Sequence, residues 1–153
     1  MSFHLLAALP QLLPSAIAWA EAASHHARET GNPLDPAGLA LARRVGGQRP
    51  ELIRTQVVDV FPQPDEPMLR QAAQATGLLG VGTVGLTMGY AILILRGHMS
   101  SRLLSHECRH VYQYETAGSI AAFLPVYLQQ IAMAGYDDAP FERDARAFEV
   151  DVV

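Results

Sequence analysis

One cysteine, Cys108, stands among 153 residues, so no intramolecular disulfide can form and the fold needs no oxidising surroundings. That is compatible with the cytoplasm. Charge is also sparse: 17% of residues carry it, the net value is −4, and the arginines occur singly apart from Arg43-Arg44. There is no basic stripe for phosphate contacts, which disfavours a nucleic-acid partner. A basic leader-like start is missing too. No Lys or Arg precedes the apolar first twenty residues, and Pro10 and Pro14 interrupt them, so Ala18-Trp19-Ala20 only imitates a secretory cleavage site. The expected location is cytoplasmic, with secretion or membrane association as alternatives. Internal repeats and low-complexity segments are absent.

Apolar residues are plentiful. They make up half of the chain, enough to bury a proper core, and the length suits one domain over 1–153, mainly helical in 1–50 with the core in 51–153. The stretch from Ala75 to Leu95 is uncharged and long enough to span a bilayer. Its glycines (77, 80, 82, 85 and 89), interleaved with Thr76, Thr83 and Thr87, favour a strand or hairpin over a lipid-facing helix.

Local signals place the elements. Residues 15–30 are rich in helix formers and stop at Gly31-Asn32-Pro33. Asp35 and Pro36 can start a helix reaching Arg44, which Gly46-Gly47 ends. Leu52–Phe61, β-branched and closed by Pro62 and Pro64, is predicted as a strand. A short helix fits Pro67–Thr76, and Leu86–Leu95 suits a buried strand. Ser100 or Ser101 caps a helix ending at Gly118, and Ser119 caps another reaching Ala134 with Pro125 as a kink and Gly135 as its close. A last helix runs from Asp138-Ala139-Pro140 toward Val150. Helices, two main strands, then helices make an α+β fold.

The segment His106-Glu107-Cys108-Arg109-His110 has the pattern H-E-x-x-H. Residues four apart on a helix stand one above the other, so two imidazoles can grip one zinc ion. Glu107, following the first ligand directly, lies beside the metal and can take a proton from zinc-bound water. At this composition the pattern arises by accident in about one chain in eighty, so its context carries as much weight as its letters. A site of this type needs one more protein ligand and an open position. The three-histidine extension of the motif is excluded, because Gln113 and Thr116 stand where it needs glycine and histidine. A carboxylate must serve. Glu142 is the first choice, one helix hairpin downstream, with Glu149, Glu115 and Asp138 as substitutes.

His106-Glu-Cys-Arg-His-Val-Tyr-Gln-Tyr-Glu115 and Tyr136-Asp-Asp-Ala-Pro-Phe-Glu-Arg-Asp-Ala145 resemble the active-site helix and third-ligand segment of zincins, specifically small gluzincin-type bacterial metallopeptidases. The resemblance covers roughly 84–149. It implies a minimal zincin-like domain with a small sheet or hairpin, zinc on His106, His110 and Glu142, Glu107 as catalytic base, and Leu86–Leu95 lining a cleft for a peptide or protein. A catalytically inactive zinc-binding scaffold is the alternative.

The neighbours divide. Cys108 points away from the zinc face and suits core packing. Arg109 suits an ion pair with Glu149 or Asp144, or a contact that orients a ligand. Tyr136 and His98 are candidates for stabilising the oxyanion. His25 and His26 are adjacent, cannot share a metal as an i, i+4 pair does, and are expected to be exposed.

Overall fold

A computed structural model describes residues 4–151. Its architecture is α+β, with six α-helices and a mixed four-stranded sheet among the described residues. Helix α1 spans Leu5–Thr30, ten residues longer at its start than its composition suggests. Pro10 and Pro14 lie inside it. Each lacks an N–H and frees the carbonyl four residues earlier, but both stand on the exposed face of the helix, where a freed carbonyl costs least. By length and composition α1 could also cross a membrane; 28% of its apolar window is buried.

Strand β1, Asn32–Pro33, pairs antiparallel with β2, Arg54–Val58, and α2, Pro36–Arg44, lies between them in sequence. Asp35 caps α2 by accepting from the Gly38 amide at 2.7 Å. The predicted strand from Leu52 shortens because Pro50–Leu52 forms a 3₁₀ turn and only residues 54–58 find partners. Helix α3 covers Pro67–Ala75, its N-terminal amides capped by Glu66.

The single strand predicted over Leu86–Leu95 is two strands, β3 (Gly85–Met88) and β4 (Ala91–Leu95), paired antiparallel. Gly89 makes the fold-back, with φ +63°, a value that L side chains rarely adopt. The uncharged stretch 75–95 is therefore a helix end, turns and a hairpin. Sheet order is β1-β2-β4-β3, with β4 parallel to β2 and β3 on an edge.

Helix α4 (Ser101–Ala117) is capped by Ser100, whose Oγ accepts from the Leu103 amide at 3.1 Å, and is closed by Gly118. Helix α5 (Ile120–Ala134) runs through Pro125. Helix α6 (Pro140–Ala147) stops short of Val150. The chain leaves α6 because tertiary contacts win: the Val150 amide donates to Ser105 Oγ at 2.8 Å, and Glu149 turns back onto α4.

The core has two parts on opposite faces of the sheet. Ala91 and Leu93 of β4 face the first, which is built from α1, α3 and α5. Ile92 and Ile94 face the second, with Ala42, Val45, Ile53, Val111 and Cys108. Both faces of β4 are covered, which is why it reads as an unbroken apolar run. Cys108 is fully buried there, and burial pushes its thiol pKa up to about 12.

Candidate metal centre

Helix α4 puts His106 and His110 one turn apart, with ring centroids 4.9 Å apart and planes at 76°. Helix α6 brings the third group. Pro140 occupies its first turn, the Phe141 amide donates to Gln130 Oε1 of α5 at 2.9 Å, and Glu142 is thereby turned onto the histidine pair. Glu142 Oε1 lies 3.2 Å from His106 Nε2, and Oε2 lies 2.9 Å from His110 Nε2. One ligand atom from each residue falls within 4.8 Å of the others.

The far nitrogens are held too. Glu149 Oε2 accepts at His106 Nδ1 (2.9 Å), and Gln113 Oε1 accepts at His110 Nδ1 (2.8 Å). The Gln113 amide is itself fixed, since its Nε2 donates to Phe141 O and to Asp144 Oδ2, both at 2.9 Å. Both Nδ1 atoms are thus occupied as donors, and both Nε2 atoms are aimed at Glu142, the outer support that metal-binding histidines receive. Tyr127 completes the arrangement, donating its hydroxyl to Glu142 Oε2 at 2.7 Å.

Burial alone would lower the histidine pKa values, but the Glu142 carboxylate outweighs it, raising His106 and bringing His110 to about 9. Burial pushes Glu142 upward, yet the two histidines and Tyr127 hold it well below the ordinary carboxylate range. Two imidazole nitrogens and one carboxylate, beside an open cleft of about 800 Å³, form a donor set that suits a cation such as zinc with one position left free.

Glu107 is 4% exposed, and its Oε2 lies 4.0 Å from His106 Nε2. Thr87 of β3 donates to Glu107 Oε1 at 2.8 Å. The edge strand reaches α4 this closely because residue 85 is glycine: a Cβ there would sit 2.7 Å from Glu107 Oε2. Thr87→Val keeps the shape and removes the donor, leaving a buried carboxylate short of a partner. It should lower the stability of the metal-free protein by about 1–3 kcal/mol, read from the urea midpoint, with Thr87→Ser recovering most of the loss.

The other residues singled out by sequence fall into different places. Tyr136, half-buried, lines the cleft beside Glu107 and Glu142, and burial holds its phenol above the ordinary range. His98 is exposed and lines the same cleft. Glu149 faces the outer nitrogen of His106 and also accepts from Arg102 at 2.8 Å. Glu115 is elsewhere, accepting from the Gln48 and Arg49 amides and from Tyr90, while Asp138 is exposed. Arg109 pairs with Asp144 at 2.7 Å rather than with Glu149 and stacks over the Phe148 ring. His25 is exposed beside Glu29. Only β3, of the segment Leu86–Leu95, borders the centre, because β4 is buried between β2 and β3.

Three residues at the centre carry no sequence motif: Thr87, Gln113 and Tyr127. Gln113 had a readable signal, since position i+3 from His110 lies on the same helix face. Thr87 and Tyr127 depend on which strand and which helix pack against α4, and nothing local marks them. No family model, curated protein or solved structure matches the chain.

Proposed function

We propose that this chain is a zinc-dependent hydrolase of the zincin type, most simply a peptidase. One observation carries the proposal: His106 Nε2, His110 Nε2 and the Glu142 carboxylate face one another within 4.8 Å, with Glu107 alongside but free of that cluster. Zinc bound there would polarise the scissile carbonyl and acidify a water molecule. Glu107 takes the proton of the attacking water and returns it to the leaving amine. Thr87 fixes the carboxylate that does so. Glu149 and Gln113 fix the orientations of the two imidazoles.

Tyr136 lies beside Glu107 and Glu142, and its protonated hydroxyl is a donor for the oxyanion that develops during attack; His98 is a second donor at the rim. A peptide is the favoured substrate because β3 is an edge strand bordering the cleft, and an extended chain can align along such an edge.

Metal-stripped protein titrated with zinc should take up one equivalent, and cleavage of an unfolded protein substrate should appear only after loading. Uptake without cleavage of any peptide, amide or ester would turn the assignment to a zinc-holding scaffold. No uptake would end both.

A further inference from the structure

An apolar recess of about 100 Å³ adjoins the centre and shares Gly85, Glu107, Tyr136 and Glu142 with the open cleft. Its walls include Leu12 and Ala16 of α1, Leu69 and Ala72 of α3, and Leu124 and Leu128 of α5, with β3 alongside. Its polar end consists of Glu107, His110, Glu142 and Tyr136, so the recess meets the cleft at the reacting groups. We propose that this recess receives an apolar side chain of the substrate, aliphatic or aromatic, from the residue next to the bond that is cut. The proposal rests on the zinc-hydrolase assignment and names its substrate class.

The chemistry of the walls selects the occupant. The lining is mostly apolar and offers water few hydrogen-bond partners, and apolar cavities of about 150 Å³ stay dry and bind benzene. A group of four to seven carbons fills a comparable space and restores the contacts that the lining lacks. Alanine at 16 and 72 provides the room, since both positions are buried and a longer side chain at either would project into the space. A charged side chain entering it would lose its water and come up against the Glu107 and Glu142 carboxylates or the buried imidazoles. Glycine would leave the recess empty.

The test uses two kinds of probe on the full chain. Toluene should bind the metal-free protein, seen by saturation-transfer NMR and by a rise in melting temperature. Acetohydroxamic acid and its 4-methylpentanoyl analogue, titrated calorimetrically into zinc-loaded protein, should differ by about ten-fold or more in favour of the branched compound. Ala16→Leu and Ala72→Leu fill the recess from two different helices, and either should abolish toluene binding and bring the two hydroxamates to equal affinity. Equal affinities in the wild type overturn the proposal whether or not the variants fold, as does an advantage that survives both fillings. Toluene binding without a difference between the hydroxamates also overturns it, because the recess would then be no part of the substrate site. If the metal assignment is at fault, neither hydroxamate binds and the zinc content is nil, which distinguishes that failure from a failure of the recess alone.

Discussion

Replacing Glu107 with glutamine is expected to cut turnover by about 10³-fold while leaving zinc at one equivalent per chain. The amide has the shape of the carboxylate and its oxygen can still accept from Thr87, so the 2.8 Å contact, the position of β3 and the fold survive. What it loses is the capacity to accept a proton. Glu107 also contributes negative charge near His106 and His110, and its neutralisation weakens the attraction for a cation. That effect is secondary, since the three groups that face one another do not include it. Zinc stoichiometry by atomic absorption, alongside initial rates on one peptide, separates the two effects. Activity within two-fold of wild type would remove Glu107 from the chemistry. Loss of zinc together with activity would mean that the residue is a ligand instead.

Glu142→Ala is expected to weaken zinc binding by well over 100-fold, a larger effect than any other carboxylate in the chain should have. Glu142 is 2% exposed and satisfies both histidines and Tyr127 at once. Its removal takes away one of the three groups proposed to hold the ion and leaves the Tyr127 hydroxyl buried without its acceptor, so the metal-free protein should also lose about 3 kcal/mol of stability. The other carboxylates give a graded control. Glu149→Ala frees the outer nitrogen of His106 without touching the inner one, and a 10- to 100-fold loss is expected. Glu115→Ala strips the Gln48 and Arg49 amides of their acceptor, which costs stability but should leave zinc affinity where it was. Asp138→Ala should do neither. Competition against a chelating dye, run across the four variants, gives the order directly. A larger effect at 149 than at 142 would reverse the roles of the two glutamates.

Much of this arrangement is legible before any coordinates, and the reasons are local. The caps at Asp35, Ser100 and Ser119 set helix starts within a residue, because each side chain bonds the amide three positions along its own helix. The i, i+4 histidines need only one helix to be brought together. What is misplaced in the sequence depends on neighbours. Pro10 and Pro14 suggest an interruption, yet both fall on the exposed side of α1, a fact that no window around them contains. The extent of β2 is set by its five-residue partner β4. Residues Leu86 to Leu95 look like one buried strand because both halves are apolar, and the turn at Gly89 needs the positive φ seen only in the fold. Glu142 is separated from the three other sequence candidates by the pose of α6, which Gln130 of α5 helps to hold. Thr87 reaches Glu107 through an approach that a glycine two residues earlier allows.

The alternation along β4 has a consequence for how this protein comes apart. Ala91 and Leu93 serve one core and Ile92 and Ile94 the other, so four consecutive residues are the seam that joins the α1–α5 layer to the α2–α4 layer. Neither layer can loosen without exposing one side of the same strand, which ties the helix carrying the histidines to the helices that wall the recess. Opening is therefore a shared event: the β4 amides should be the last in the chain to exchange with solvent, and a lesion in either layer should speed their exchange by the same factor as it speeds global unfolding.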